Sequence, residues 1–466
     1  MDVLPTYPPT HAYLHTCTYL HAYNLPTFVL HNLIVISGLC TMCGSSCALF
    51  GHICCWMYKL SPIKHSQVLF AVLGAGFAGV SVAWHLLQHT RSCKPVSVDL
   101  YDESGIGGGA SGVSGGLLHP YSPKGKLLWN GAEGWVAALK LLAIAEAANV
   151  QDLNTTGPIA WRRFVLSAFS QGFQQSYHFF SLVLLLPVRN VEEDSNEAGV
   201  LCLEEGEARA LVPGLVLPEN SVALFMPHGL NLHPRRYLEA LWMACQTFAR
   251  KASSVGSPGT QAVLLKQHIS TLSELSGYEA VVVCMGANVV MLPELAGKLT
   301  LSMCRGVVAQ LDLPPSFLEY REEVPNLLSS TWLALQGQRK MVLGATKQWG
   351  CGNTSTQVLA DEERAVWEQL IPNAEMFYPS IKQWEVTGLQ AGVRAMPPRT
   401  PLGALPLAGC INTLVQPKLD TDCWLIGGLG SRGLIYHAWL GELVAAAIVS
   451  GIDTIVPQEL SQAFLK

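Results

Sequence analysis

The chain has 466 residues, a formal net charge of −5 and a sequence pI of about 6.3. Half of its residues are hydrophobic and 14% are charged, which is enough apolar material for a large core. The acidic balance and the lack of a basic stripe argue against a protein that binds nucleic acid tightly, and they give a transient RNA substrate no support.

The first 66 residues differ from the rest of the chain because their only charged residues are Asp2, Lys59 and Lys64. The segment Leu33–Met57 carries no formal charge and is long enough to cross a bilayer. The two lysines after it would keep the body on the cytoplasmic side. The lack of arginine and of a basic leading region is unlike a transit peptide or a secretory signal. We therefore expect an atypical extension over residues 1–66, either a membrane anchor or an unstructured or poorly defined segment.

Fourteen cysteines are present, and those of the body follow no paired spacing. This pattern favours reduced thiols in an intracellular protein, in the cytoplasm or an organelle, over a disulfide framework. Cys40, Cys43 and Cys47 lack a second ligand pair at suitable spacing, so we expect no metal site.

The first motif of the body joins two predicted strands, Val68–Leu73 and Val96–Tyr101. Between them lie a G-x-G-x-x-G turn and an apolar helix that begins near Val80. Asp102 ends the second strand, 23 residues after Gly79, at the spacing of an acid that binds a ribose. Glycines let a pyrophosphate approach the backbone, and the helix N-terminus attracts its charge. The pattern predicts a dinucleotide-binding unit.

Further along the chain, two glycine-rich loops are predicted to face a ligand. Gly107–Gly116 follows the acidic strand end, and Gly428–Gly433 lies between a short strand, Trp424–Ile426, and a helix over about Ile435–Val449. Further helices are predicted over Gly134–Asn149 and Pro234–Lys251. The run Tyr278–Ala287 predicts a buried parallel strand, and Met341–Thr346 predicts another strand.

Several of these segments together resemble the FAD-dependent D-amino-acid oxidase/glycine oxidase (DAO) superfamily. The resemblance covers most of residues 67–455. Within the superfamily, the chain is most similar to the oxidoreductase domain of the bacterial bifunctional tRNA 5-methylaminomethyl-2-thiouridine biosynthesis enzyme. The matching segments are Val72–Gly79, Gly109–Gly112 with Leu117–Pro120, Val282–Ala287, Arg305-Gly306, Gly392–Arg394 and Gly428–Leu434.

The resemblance implies an α/β fold with an α+β substrate lobe. A Rossmann-like FAD lobe would be discontinuous in sequence, from about 67–160, 225–300 and 385–456. The substrate lobe, with a mostly antiparallel sheet, would come from about 161–224 and 301–384. Ser167–Asn196 fits the family poorly.

The resemblance also assigns roles to individual residues. Arg394 would grip the substrate carboxylate, since its planar fork meets both oxygens; a surface ion pair is the alternative. Asp102 would bind the adenosine ribose. The other residues expected to bind FAD are Gly74, Gly76, Phe77, Ala78, Gly79, Ala110, Ser111, Gly286, Gly430, Ser431, Arg432, Gly433 and Leu434. We expect His119 and His233 to be structural.

The expected function is oxidation of a C–N bond in an amino acid or an N-substituted glycine-like amine, by hydride transfer to FAD. The alternatives are a flavin dehydrogenase that passes electrons to a membrane or protein acceptor, and a flavin-binding protein without catalysis. A sarcosine-oxidase-like protein with FAD tethered through Cys351 or Cys410 is a further reading, but neither cysteine has a convincing context. We therefore expect non-covalent FAD.

Overall fold

Two sheets carry the fold, and the first contains both strands of the predicted nucleotide-binding unit. The structure is a computed structural model that describes residues 67–89, 94–151, 157–161, 165–170, 199–217, 221–255, 259–315, 326–337, 339–415 and 418–462. The predicted membrane segment Leu33–Met57, Cys40, Cys43 and Cys47 lie outside the described residues, as does most of Ser167–Asn196.

The strands are β1 (Val68–Leu73), β2 (Val96–Tyr101), β3 (Leu117–Leu118), β4 (Ala160–Trp161), β5 (Val165–Ser170), β6 (Leu201–Leu203), β7 (Ser221–Met226), β8 (Leu230–Leu232), β9 (Gln261–Leu265), β10 (Ala280–Val283), β11 (Ser302–Asp312), β12 (Asn326–Leu328), β13 (Trp332–Leu335), β14 (Lys340–Gly344), β15 (Gln348–Trp349), β16 (Glu385–Met396), β17 (Arg399–Thr400), β18 (Gly403–Ala404), β19 (Leu407–Cys410) and β20 (Asp422–Gly427). The α-helices are α1 (Phe77–His89), α2 (Gly131–Gln151), α3 (Glu205–Leu211), α4 (Pro234–Val255), α5 (Ala360–Ala365), α6 (Ile371–Glu375), α7 (Gly433–Ser450) and α8 (Gln458–Gln462).

The first sheet has the strand order β19-β20-β10-β1-β2-β9 within the described residues. Its strands are parallel except for β19, which runs antiparallel to β20. Strands β1 and β2 have the bounds that the sequence predicts. Because parallel strands end at the same edge, the loops after β1, β2, β10 and β20 meet there, where open α/β sheets bind ligands.

The predicted strand Tyr278–Ala287 is wrong at its carboxyl end. Strand β10 stops at Val283, and a 3₁₀ helix begins at Gly286. Gly286 has a φ of +56°, a left-handed conformation that ends the extended run. The turn brings this backbone to the ligand-binding edge of the sheet.

Helices α1, α2, α4 and α7 pack against one another and against the first sheet. Helix α7 is long and apolar enough to cross a bilayer, the one such helix among the described residues, but more than half of it is buried inside the fold. Its Gly441 lies so close to α1 that an added Cβ would stand 2.3 Å from Ser81 Oγ. The apolar sequence of α7 is therefore explained by its place in the core.

The second sheet is mostly antiparallel. In the described part of the chain, its order is β15-β11-β14-β13-β12-β5-β7-β6, with β16 paired along β11. The pair β12–β5 is parallel. Residues 385–396, grouped with the FAD lobe in the sequence-based division, form β16 and belong to this sheet. A separate apolar core that contains Leu311, Leu343 and Leu370 lies on it.

A buried hydrogen-bonded pair joins the helices beneath the ligand edge. Nδ1 of His437 on α7 lies 2.9 Å from the carbonyl oxygen of Leu434, and Nε2 lies 2.7 Å from the hydroxyl of Tyr237 on α4. Burial lowers the pKa of His437 to about 4, so the ring is neutral near pH 7. Nδ1 therefore carries the proton and donates to Leu434, while Nε2 accepts from Tyr237. Both rings also lie against Phe77, the first residue of α1.

The neutral state of His437 predicts a loss of stability in mild acid. The folded chain holds this pKa near 4, against about 6.5 for an unperturbed histidine, so the unfolded chain binds the proton first as the pH falls. The free energy of unfolding should therefore decline between pH 6.5 and pH 4, by about 1–2 kcal/mol at pH 5 from this group. Urea unfolding of the wild type and of His437→Gln at several pH values measures it.

The exposed His228 provides the control variant, His228→Gln. The variant at position 437 should show a shallower pH dependence than both the wild type and the control. An unchanged dependence in His437→Gln would contradict the assignment.

Candidate functional site

The turn between β1 and α1 has no room for side chains at its three motif glycines. Gly74 has a φ of +99°, and a Cβ there would stand 2.5 Å from the carbonyl oxygen of Cys284, the residue directly after β10. A Cβ on Gly76 would stand 2.8 Å from Ser111 Oγ, and one on Gly79 would stand 1.8 Å from the carbonyl oxygen of Gly74. The turn is thus tight, and the first N–H groups of α1 have no partners within the helix.

Asp102 organises the loop that follows β2. Its Oδ2 accepts a hydrogen bond from the backbone N–H of Ala75 at 2.9 Å. Its Oδ1 accepts from the N–H groups of Ser104 and Gly105 at 2.9 and 2.8 Å. This carboxylate therefore ties the second strand to the glycine turn, in addition to the ribose contact that the sequence predicts for it.

The loop Gly107–Gly116 lies directly against the start of α1. The N–H of Gly107 donates to the carbonyl oxygen of Ala75 at 2.9 Å, and Ser111 Oγ accepts from the N–H of Phe77 at 3.1 Å. Ser111 thereby caps the helix with its side chain. The predicted loop thus contacts the predicted turn.

The other predicted loop presents a second helix N-terminus at the same place. Gly428 and Gly430 have φ values of +60° and +56°, and the N–H of Gly430 donates to the carbonyl oxygen of Ala395 on β16. A Cβ on Gly433 would stand 3.2 Å from the Phe77 ring at the start of α1. The positive ends of α1 and α7 therefore lie side by side.

A cavity of about 330 Å³ opens between these two helix ends and the second sheet. The predicted site residues that line it are Gly76, Phe77, Ala78, Ala110, Ser111, Gly286, Arg394, Gly430, Ser431, Arg432, Gly433 and Leu434. Gly74, Gly79 and Asp102 shape the adjoining turn and are outside the lining. Their assignment to FAD stays a prediction, but the tertiary structure brings most of the predicted residues to one cavity.

Arg394 reaches the cavity from β16, opposite Cys304 of β11. Its Nη2 lies 3.5 Å from Cys304 Sγ and next to Gly306, where an added Cβ would stand 3.3 Å away. Within the described ranges no carboxylate forms an ion pair with Arg394, and its side chain is half-buried. These features favour a cavity role over the alternative of a surface ion pair.

Arg305, one strand away, has a different role. Its guanidinium is buried and donates to both carboxylate oxygens of Glu362, at 2.5 and 2.9 Å, and to the carbonyl oxygens of Asn353, Ser355 and Gln357. The hydrogen bond from Arg305 lowers the pKa of Glu362. Arg305 therefore holds the chain after β15 against β11.

Trp332 lines the cavity and was missed by the sequence analysis. It faces Gly344 across the β13–β14 pair, and a Cβ on Gly344 would stand 2.0 Å from its Cζ2. On its other side, a Cβ on Gly115 would stand 2.5 Å from its Cζ3. The indole is thus held between two backbone surfaces. In the sequence, the signal for this position of Trp332 is the pair of glycines, Gly115 and Gly344. It can be recognised only when β13 is known to pair with β14.

Burial keeps two titratable side chains of the cavity wall, His119 and Cys284, uncharged near neutral pH. Burial lowers the pKa of His119 to about 4, against a smaller opposite effect of the Tyr121 backbone. Burial also raises the pKa of the Cys284 thiol. Cys351 and Cys410, the cysteines considered for a flavin tether, are outside the cavity lining.

Comparison with known proteins gives a family and a fold. The family model described as FAD dependent oxidoreductase (DAO) matches residues 70–447. A search of curated protein sequences found no match. Among solved structures, glycine oxidase from Geobacillus kaustophilus is 18% identical with a TM-score of 0.60, and covers 85% of this chain and 98% of its own.

Two further solved structures have TM-scores close to this value. Iminodiacetate oxidase from Chelativorans sp. BNC1 is 20% identical with a TM-score of 0.61, over 84% of this chain and 98% of its own. L-proline dehydrogenase from P. horikoshii is 15% identical with a TM-score of 0.61, over 85% of this chain and 97% of its own. At these identities the likeness shows the fold, and it confirms the predicted mixed α/β architecture.

The crowding at Gly76 yields a prediction on cofactor affinity. In Gly76→Ala the new Cβ would displace Ser111 Oγ, which caps α1 and lines the cavity. FAD should then bind about tenfold more weakly or worse, a loss of about 1.4 kcal/mol. Gly206→Ala is the control, because Gly206 lies in α3 with open space around it. Flavin fluorescence during titration of the apoprotein gives both dissociation constants; equal values would contradict this prediction.

Proposed function

The chain belongs to the DAO family of FAD-dependent oxidoreductases, and we propose that it oxidises the C–N bond of an amino acid or an N-substituted glycine-like amine. FAD is its cofactor and, when bound, supplies the hydride-accepting chemistry. The single observation that carries the substrate class is Arg394, a half-buried guanidinium in the cavity wall without a carboxylate partner among the described residues.

The residues of the cavity fit FAD. Two helix N-termini, those of α1 and α7, offer N–H groups to anionic or electron-rich parts of a ligand. Backbone at Gly76, Gly286 and Gly430 lines the wall without a Cβ in between. We propose that the α1 turn and Ser111 hold the pyrophosphate, and that Gly430–Leu434 lie beside the flavin ring.

The second sheet would supply the substrate side. Arg394 would hold a carboxylate through two parallel hydrogen bonds, which sets the orientation as well as the affinity. Placement of this kind contributes several kcal/mol toward the reaction when the reacting atoms are held close together. The apolar wall of Val308, Leu328 and Trp332 would exclude water around the rest of the substrate.

The proposal is supported by the names of the structural relatives, which include two oxidases of small amino-acid-like compounds and an amino-acid dehydrogenase. A net charge of −5 gives an RNA substrate no support. The test is a screen of glycine, sarcosine, D- and L-amino acids, iminodiacetate and modified-uridine RNA with the FAD-loaded protein under anaerobic conditions. Bleaching of the flavin by an amino acid or a glycine-like amine supports the proposal, and no bleaching by any of these compounds counts against it.

The same preparation separates an oxidase from a dehydrogenase. Prompt peroxide in aerated buffer would identify oxygen as the acceptor. Bleaching without peroxide would favour the alternative of a membrane or protein acceptor. The segment that motivates the membrane alternative, Leu33–Met57, lies outside the described residues.

Replacing the planar guanidinium of Arg394 should affect mainly those substrates that carry a carboxylate. Arg394→Lys keeps the charge but loses the two-pronged geometry, so kcat/KM for such a substrate should fall about 10- to 100-fold. An amine without a carboxylate should lose much less. Arg399→Lys is the control, since Arg399 is an exposed residue of β17. Equal losses with both kinds of substrate would argue that Arg394 is structural.

The size of the Trp332 side chain should limit the size of the substrate. Trp332→Leu removes ring atoms that lie between Gly115 and Gly344 and enlarges the cavity. The ratio of kcat/KM for a bulky amino acid to that for glycine should rise roughly tenfold. Trp349→Leu, at a tryptophan that is 59% exposed on β15, is the matched control. If both variants keep the wild-type ratio, Trp332 does not border the substrate.

FAD should be released from the protein by acid precipitation. Cys351 and Cys410 are outside the cavity lining, and burial raises the pKa of the Cys284 thiol, which disfavours the reactive thiolate. Absorbance of the supernatant after precipitation measures the released flavin. Yellow colour that stays in the pellet would contradict non-covalent binding.

A further inference from the structure

Two polar side chains on the small sheet β3-β8-β4 carry buried atoms that no hydrogen bond satisfies. His119 follows β3 and lines the cavity, and its buried Nδ1 has no hydrogen-bond partner among the described residues. Asn231 of β8 is 0% exposed, and within the same residues neither its Oδ1 nor its Nδ2 has a partner. The function proposed above uses none of these atoms.

The side chain of Asn231 lies directly behind the cavity wall. In the antiparallel register, Asn231 is opposite Leu117 of β3, and residues directly opposite each other share one face of a sheet. Leu117 lines the cavity, so Asn231 is on the cavity side of this sheet. Gly116 lines the cavity too, and a Cβ there would stand 3.1 Å from Oδ1 of Asn231. The amide therefore meets the wall at a position that has no side chain.

These atoms destabilise the protein as long as nothing bonds to them. A buried amide without a hydrogen bond has lost its contacts with water and has gained none in return. Leucine has nearly the same shape as asparagine and would carry no such cost at position 231. At His119, either tautomer of the neutral ring leaves Nδ1 with a proton to donate or a lone pair to fill. The two side chains are thus suited to a polar group that enters from the cavity.

The chemistry of the two side chains indicates which group that is. Asn231 offers an acceptor oxygen and an N–H donor, and burial keeps the ring of His119 uncharged near pH 7. A carboxylate only accepts hydrogen bonds and an ammonium only donates them, and each would bring a charge that these side chains do not balance. A carboxamide is neutral and carries an acceptor and a donor side by side, which matches both residues.

We propose that His119 and Asn231 form a neutral polar subsite of the cavity, which binds a carboxamide at the end of the substrate's side chain. This inference rests on the proposed function, in which Arg394 holds the carboxylate of the same substrate. It narrows the substrate class to amino acids or glycine-like amines whose side chain ends like that of asparagine or glutamine. A site built around hydrogen bonds rejects an apolar isostere much more strongly than a hydrophobic pocket rejects a missing methylene group.

Ligands without an amine test the subsite separately from the reaction, because they contain no amine to be oxidised. Succinamate and glutaramate each join a carboxylate to a carboxamide, at two chain lengths. Their apolar isosteres are 4-methylpentanoate and 5-methylhexanoate, and their charged isosteres are succinate and glutarate. Titration of the full-length, FAD-loaded protein, followed by the absorbance of the bound flavin, gives the dissociation constants. At least one carboxamide should bind about tenfold more tightly than both of its isosteres, as one or two net hydrogen bonds would produce.

Variants that remove the hydrogen-bonding atoms should remove this preference. His119→Leu and Asn231→Leu should each lower the ratio of the affinities for the carboxamide and its apolar isostere about tenfold. His119→Asn should restore part of the ratio, because the amide of asparagine places a hydrogen-bonding atom near the position of Nδ1. His228→Leu is the control for the histidine, since His228 is exposed in the turn after β7 and is outside the cavity lining.

Thermal unfolding without these ligands separates a binding role of Asn231 from a structural one. If no group of the protein bonds to the amide, Asn231→Leu should unfold at the same temperature as the wild type or at a higher one. Asn412→Leu is the matched control. The side chain of Asn412 donates to Asp422 at 2.8 Å and accepts from the N–H of Cys423 at 2.7 Å. This control should unfold at a lower temperature and keep the ligand preference of the wild type.

Equal affinities for a carboxamide and its apolar isostere at both chain lengths would overturn the subsite, and ordered water would then be the partner of these atoms. Tighter binding of the charged isosteres would overturn it as well, as would an Asn231→Leu variant that unfolds as early as Asn412→Leu. If none of the six ligands binds, the carboxylate role of Arg394 fails together with the subsite. A failure of the proposed function is thereby distinguished from a failure of the subsite alone.

Discussion

The site depends on backbone surfaces that touch without side chains between them. A Cβ on Gly392 of β16 would stand 2.6 Å from Val113 Cγ2 and 3.2 Å from Ala110 Cα, so the loop after β2 lies directly on the second sheet. Gly74 makes the same kind of contact with Cys284, directly after β10. These contacts bring two helix N-termini, one glycine-rich loop and one sheet face to a single cavity. A Cβ at either position would push the surfaces apart until these contacts reached ordinary van der Waals distances, which would open the cavity.

The two sheets contribute different kinds of chemical group to the cavity. The first contributes N–H groups at the ends of parallel strands, which suit an anionic dinucleotide. The second contributes Arg394 and a wall of apolar side chains, which suit a small carboxylate-bearing amine. The histidines near the site are held neutral by burial, as His119 and His437 show, so the positive charge in the cavity is that of the arginines.

Two arginines on neighbouring strands show how the same residue type serves different ends. Arg305 and Arg394 lie on the paired strands β11 and β16, one residue apart in register. Arg305 is saturated by Glu362 and backbone carbonyls, and its side chain is 1% exposed. Arg394 lies next to the Cys304 thiol and lines the cavity. An arginine whose donors are taken up by protein acceptors fixes the chain segments that it bonds, whereas one held without a carboxylate keeps its donors for a ligand.

The sequence by itself determined the nucleotide-binding unit, because glycine spacing and apolar runs are local signals. The bounds of β1 and β2 follow from these signals. Tertiary structure alone decided that Arg305 binds Glu362 outside the cavity lining and that Trp332 lies between Gly115 and Gly344. Each of these features depends on strand pairing or packing between residues far apart in the chain. A local amino-acid pattern does not determine which distant strands pair, or in which register.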